Sequence, residues 1–282
     1  IFVTPQNADS DLEPVNEFDT MTYVDSTYYT EIFIKGSAAT LTLRIPKTED
    51  YFYKPNPQTL QSKKNEFIFE IETKILPSLP THHRNQEIVL KIAHSNIDNR
   101  QTFYTDANGL FMQKRILDYF YNSESEKRIE SNYYPINTAI YVEDRFESPS
   151  EQEAGLRMTV LNDRTQGGSS LRRGEIEIML DRKTAFDDAQ GVFEPLMDRL
   201  DPYGVEHKEG LEVVTTHRVI VDSKSSRQNL QRRIQFYDDL APVVMVGKYE
   251  GSKFGESSKT VAPVRIFFFW LMRCRVKMET SI

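Results

Sequence analysis

An all-β fold, a large antiparallel β-sandwich, is what this sequence predicts, and three observations predict it. Short runs rich in β-branched and aromatic residues recur along the chain, several of them alternate apolar and polar residues, and glycine-containing turn dipeptides punctuate them. Helical periodicity is scarce by comparison.

Taken in order, the candidate strands are Tyr28 to Ile34, Ala39 to Ile45, Phe67 to Ile75, Glu87 to Ala93, Gln101 to Thr105, Thr138 to Val142, Leu156 to Leu161, Glu175 to Leu180 and Leu211 to Val221. The run FIFEIETKI shows the logic. Successive side chains of a strand point to opposite faces, so Phe67, Phe69, Ile71 and Thr73 share one side while Ile68, Glu70, Glu72 and Lys74 share the other. One face is expected in the core and the other mostly in water. Asn108-Gly109, Gly167-Gly168, Arg173-Gly174 and Gln190-Gly191 read as hairpin connections, each placing a glycine where the backbone can need positive φ. Gly109 to Tyr119 has apolar spacing compatible with a helix, but the Asn-Gly before it also suits a hairpin into a strand. Polar stretches with little strand character run from Gln6 to Asp19 and from Ser223 to Asn229, and Glu143 to Ala154 reads as an exposed insertion. No internal repeat or domain linker is visible, so a single layered β-unit is expected.

Composition narrows the function classes. Of the 282 residues 39 % are hydrophobic and 27 % charged, close to the average for soluble globular chains. Asp and Glu outnumber Lys and Arg by 42 to 35, giving a formal net charge of -7 and no broad basic field, so nucleic acid is not an expected partner. The single cysteine, Cys274, excludes an internal disulfide framework and a thiolate-rich metal site. Ile266 to Met272 (IFFFWLM) is continuously apolar but far shorter than the roughly 20 residues of a membrane helix, so no membrane span is expected. The chain opens at Ile1 without methionine and reads as an internal or processed fragment.

Three groups of residues invite a chemical reading. Asp163-Arg164 followed by TQGGSS is a polar, glycine-centred turn after a strand, where small residues allow close backbone approach; a structural loop is an equally good reading. Asp187-Asp188-Ala189-Gln190-Gly191 places adjacent carboxylates beside a glycine, and carboxylates accept sugar hydroxyls; on these residues alone a solvated acidic turn is the simpler account. His82-His83 and His94 lack the helical ligand spacing of a zinc site, and His207 and His217 lie in or beside a candidate strand, so all five read as solvated or structural. Asp181-Arg182 at a strand end reads as a structural ion pair.

Four ordered blocks carry a resemblance: FYTDANG (103 to 109), SNYYPINTAIYVED (131 to 144), LNDRTQGGSSLRRGEIEIMLDRK (161 to 183) and DDAQGVFEPL (187 to 196), with FEIETKILPSLP (69 to 80) as a weaker fifth. In these blocks the sequence resembles the C-terminal β-rich region of family 38 α-mannosidases of lysosomal or vacuolar type. The resemblance implies a supersandwich of the galactose-mutarotase-like kind. It further implies that Asp187, Asp188, Gln190 and Gly191 lie on a loop reaching the sugar pocket. The family usually has an arginine where this chain has Gln190. A zinc ion, the nucleophile and the metal-binding residues would belong to an N-terminal barrel domain outside this chain, which is the implied partner along with a mannose-containing oligosaccharide. The expected reaction is removal of terminal α-D-mannose from N-glycan oligosaccharides by a retaining mechanism with paired carboxyls roughly 5 Å apart. Isolated, the chain should be inactive, and no catalytic residue is expected within it. A lysosomal or vacuolar place follows by resemblance only, and no N-x-[ST] sequon occurs in the sequence. The alternative is a non-catalytic carbohydrate-binding or scaffold module on the same fold. Residues 1 to 247 are expected to form the sandwich domain; residues 248 to 282 diverge from the family and read as a truncated or mis-spliced tail.

Overall fold

Alternation within each strand decides which side chains meet between the sheets, and the computed structural model follows it. The structure describes residues 2–4, 13–14, 18–47, 67–76, 86–119, 129–145, 155–183, 191, 212–223, 231–232, 234–236 and 238. Two units are distinguished, Ile1–Leu240 and Ala241–Ile282, and every described residue belongs to the first. Cys274, the IFFFWLM segment and the expected tail therefore lie outside the described residues.

The strands are β1 (Phe2–Thr4), β2 (Glu13–Pro14), β3 (Phe18–Asp25), β4 (Tyr29–Gly36), β5 (Ala39–Pro46), β6 (Phe67–Ile75), β7 (Gln86–Ala93) and β8 (Thr102–Asp106). They continue as β9 (Met112–Ile116), β10 (Tyr134–Ile136), β11 (Ala139–Glu143), β12 (Leu156–Asn162), β13 (Gln166–Ser169), β14 (Glu175–Lys183) and β15 (Val213–Ser223), with a short 3-10 helix at Ile129–Asn132. Two sheets result, one of six strands in the order β10-β13-β14-β7-β1-β2 and one of nine in the order β3-β4-β5-β6-β15-β12-β11-β8-β9. Neighbouring strands are antiparallel throughout. The last of the described strands in sequence, β15, sits in the middle of the nine-stranded sheet, bonded to β6 on one side and β12 on the other.

Between the sheets lies one apolar core. Ile88, Leu90, Ile136, Ile176, Ile178 and Leu180 come from the smaller sheet, and they meet residues such as Ile71, Ile75, Phe103, Ile140, Val160 and Val219 of the larger. A second, smaller cluster lies on the far side of the larger sheet, where Ile234, from helical positions between 231 and 238, packs with Ala139, Leu161 and Ile220. On the outward face of the same sheet the polar half of the alternation forms a charge ladder. Glu31, Arg44, Glu70 and Arg218 are successive cross-strand partners on β4, β5, β6 and β15. Arg44 lies 2.7 Å from Glu31 and 2.8 Å from Glu70, and Arg218 lies 3.1 Å from Glu70.

The larger sheet outruns the smaller one at its β3 edge. Met21 and Tyr23 sit on the core-facing side, opposite Ile34 and Ile32, yet are 72 % and 71 % exposed.

All nine expected strands are present, and no end is shifted by more than three residues. Three expectations are corrected, and a choice left open is resolved. Gly167-Gly168 is not a hairpin connection: both residues lie within β13, and a Cβ on Gly168 would meet Ile136 and Ile140 side chains at 3.1–3.2 Å, so glycine serves close packing there. Gln6 to Asp19 is not uniformly without strand, because β2 and the start of β3 fall inside it; β3 alternates polar threonines with its apolar residues and hides its pattern. The expected insertion begins later than Glu143, which belongs to β11, while the buried Asp144 carboxylate accepts the amides of Asp98 and Leu156 at 2.7 and 2.8 Å. Gly109 to Tyr119 holds a strand, β9, so the hairpin reading was the right one of the two.

Candidate functional site

The residues singled out by sequence follow β14 in the chain. The register of β14 against β7 slips between Met179 and Asp181, a bulge that turns the following residues. Arg182 then pairs with Glu87 on β7. Asp187, Asp188 and Gln190 lie outside the described residues. Gly191 is exposed, has φ of +131°, and would present an added Cβ to open space.

The LNDRTQGG segment, by contrast, is fully placed: Asn162 is buried, Gln166 half-buried, and Asp163, Arg164 and Thr165 are exposed. Arg164 donates to Asp163 at 2.9 and 3.0 Å and to the Val214 carbonyl at 2.6 Å, while the Thr216 amide donates to Asp163 at 3.0 Å. Burial pushes the Asp163 carboxyl up, but the hydrogen bonds from Arg164 and Thr216 outweigh it and hold it below the ordinary range. The pair thus pins the turn after β12 to the start of β15. Asn162 donates its amide to the carbonyls of Ile136 and Asn137, both at 3.2 Å, tying β12 to the link between β10 and β11. Gln166 crosses between the sheets: its Nε2 donates to the Met179 carbonyl at 3.0 Å and its Oε1 lies 2.9 Å from Nε2 of His217.

His217 and Glu177 are deeply buried titratable groups, and neither was singled out as a site by the alternation pattern. His217 is completely enclosed; burial lowers its pKa to about 4, with Arg164 pushing the same way and Asp163 against. Glu177 points to the outer side of the six-stranded sheet, where an acid is unremarkable in sequence, but the Tyr133 ring covers it and donates its hydroxyl at 2.8 Å. Burial pushes the Glu177 carboxyl up, against the opposing pull of Tyr133 and Lys91. The Tyr133 contact comes from the segment before β10, and no period-2 pattern reports a cover from outside the strand. His94, near the histidines at 82 and 83 in sequence, accepts the Asn96 amide on Nδ1 at 3.3 Å, while His82, His83 and His207 lie outside the described residues.

Chemically, the described arrangement can support and orient but offers zinc no seat. Among the described residues no group of three or more His, Cys, Asp or Glu is placed to hold a metal ion, and no helix is long and apolar enough to cross a membrane.

Two antiparallel sheets, with β12 and β13 joined by the Asp163–Thr165 turn, define a β-sandwich domain, and comparison with known proteins places it. Residues 23–190 match the family described as glycosyl hydrolases family 38 C-terminal domain, and the chain belongs to that family. It is 34 % identical over 179 residues to the lysosomal alpha-mannosidase of Homo sapiens, covering 63 % of this chain and 16 % of that protein. It is 33 % identical over 172 residues to the alpha-mannosidase of Canavalia ensiformis (59 % and 16 %), and 39 % identical over 115 residues to alpha-mannosidase 2 of Drosophila melanogaster (40 % and 9 %). The matched region thus spans about a sixth or less of these relatives.

Proposed function

We propose that this chain is the β-sandwich part of a larger α-mannosidase, a glycoside hydrolase that removes terminal α-D-mannose from N-glycan oligosaccharides. The observation that carries the reading is the family match across residues 23–190, supported by relatives that are each called an alpha-mannosidase. In this reading a retaining reaction is performed by carboxyl groups on a barrel segment outside the chain, and zinc bound there supplies Lewis-acid contact to the sugar hydroxyls. The sandwich contributes position. In this reading Asp187, Asp188, Gln190 and Gly191, which follow β14 in the sequence, accept or donate hydrogen bonds to mannose hydroxyls at the pocket edge. The human relative is called lysosomal, which supports a lysosomal or vacuolar place. Residues 1–247 act as the sandwich domain and the remainder as an appended tail.

The test uses an aryl α-mannoside with zinc. The 282-residue chain alone should give no turnover above background, and turnover would overturn the placement of the chemistry elsewhere. In the complete enzyme, Asp187→Ala should raise KM about tenfold, equivalent to ~1.4 kcal/mol of binding, with kcat less affected. An unchanged KM would remove the loop from the pocket. Gln190, standing where relatives of this family usually carry arginine, favours a second reading as a non-catalytic carbohydrate-binding or scaffold module; mannose binding by a complete protein without hydrolysis would select it.

A further inference from the structure

Four buried polar side chains sit together on the core side of the nine-stranded sheet. Thr73 of β6 is the cross-strand partner of Thr215 of β15, and His217 of β15 is the partner of Asn162 of β12. Thr73 lies between Ile71 and Ile75 in the inward alternation, Thr215 and His217 precede Val219, and Asn162 follows Met158 and Val160. Thr73, Thr215 and His217 are wholly enclosed and Asn162 nearly so. Partners of this kind hold their Cβ atoms roughly 4.5–5.5 Å apart, so the four form one contiguous patch.

Hydrogen bonding fixes what the patch presents. The Met179 carbonyl can only accept, so the Gln166 amide turns its nitrogen to Met179 and its oxygen to His217. His217 must then carry its proton on Nε2, which leaves Nδ1 as a bare acceptor. Asn162 spends its amide nitrogen on backbone carbonyls, which leaves Oδ1 as a second acceptor. His217 Nδ1, Asn162 Oδ1, Thr73 Oγ1 and Thr215 Oγ1 are all buried without a hydrogen-bond partner among the described residues. Leaving a buried polar atom unmet costs about 1–3 kcal/mol, and four such penalties would rival the whole stability of an ordinary domain, roughly 5–15 kcal/mol. Something that donates protons must satisfy the two acceptors.

We propose that this patch is an internal hydration site, in which at least one ordered water donates to His217 Nδ1 and Asn162 Oδ1 and the hydroxyls of Thr73 and Thr215 complete its shell. Two acceptors and two hydroxyls match the two to four partners that buried waters take. A cation does not fit. The nearby carboxylate, Asp163, is already engaged by Arg164 and the Thr216 amide, and the acceptors facing the patch are neutral. The site gives Asn162 and Gln166 of the LNDRTQGG segment a purpose apart from sugar binding: one lines the water and the other sets the histidine tautomer that receives it.

A crystal structure of the 282-residue chain at water-resolving resolution should show density within hydrogen-bonding reach of His217 Nδ1 and Asn162 Oδ1. A dry patch, or a threonine hydroxyl bonded directly to Nδ1, overturns the proposal. In solution, long-range 15N–1H correlation of the wild type should report the Nε2–H tautomer with a hydrogen-bonded Nδ1; a bare Nδ1 or the opposite tautomer counts against it. Thr215→Val, which keeps the shape and removes the hydroxyl, should lower Tm by about 2–4 °C. A raised Tm would mean the hydroxyl was simply buried unmet, and the wild-type spectra decide the matter even if the variant fails to fold.

Discussion

Asp106 joins two parts of the chain through its carboxylate. One carboxylate oxygen accepts the amides of Asn137, Thr138 and Ala139 at 2.9–3.1 Å; the other accepts the Gly109 amide at 2.7 Å and the Thr138 hydroxyl at 3.1 Å. It therefore fastens the β8–β9 turn to the start of β11. Asp106→Ala strands several buried donors at once and should cost at least about 3 kcal/mol in urea unfolding, with Asp106→Asn intermediate because one oxygen survives. His217 supplies a second test at this scale. Its pKa falls from 6.5 to about 4 on folding, so the folded protein binds fewer protons, and the stabilisation present above pH 6.5 is lost as pH falls toward 4. His217→Gln should flatten the stability profile between pH 6.5 and 4 relative to wild type, a difference of up to about 3 kcal/mol. An unchanged slope would mean that other groups carry the acid sensitivity.

At the scale of elements, the outward ladder from Glu31 through Arg44 and Glu70 to Arg218 joins four strands, with Glu70 touching two arginines. These groups are partly exposed, so each pair alone contributes little. Glu70→Gln should nevertheless cost about 1 kcal/mol, and a stability difference from wild type that shrinks in high salt identifies the cause as charge. Alternation made Phe67–Ile75 legible, where the inner Ile71, Thr73 and Ile75 are buried as expected, but β3, which also alternates, was passed over. Strands without a pattern to read were missed as well. β13 is QGGS, whose two glycines carry no side chain to alternate, and β10 is YPI, three residues with a proline. The candidate site was legible only as a block of residues that resembles a family. The burial of Glu177 under Tyr133 and the coupling of Gln166 to His217 join positions 44 and 51 residues apart, and no local pattern encodes such distances.

For the whole molecule, the mismatch between nine strands and six matters most. Beyond the smaller sheet, the inner face of β3 and β4 presents Met21 and Tyr23 to solvent on an edge strand, the combination that favours intermolecular pairing. The double substitution Met21→Lys with Tyr23→Lys should reduce self-association of the chain in sedimentation velocity while leaving its unfolding midpoint within about 0.5 kcal/mol of wild type, since both residues are surface positions. Unchanged association would show that the overhang is not the contact.

Because β15 lies between β6 and β12, the nine-stranded sheet is two unjoined pieces until residues 213–223 exist. On a ribosome, strands β3 to β6 and β8 to β12 are translated well before the piece that bridges them, and each waits with an open edge while about 50 further residues follow β12. The family-matched region ends at residue 190, before that bridge is made. A nascent chain arrested there has its cradle built and its keystone missing, and it is at that stage that a chaperone has most to shield.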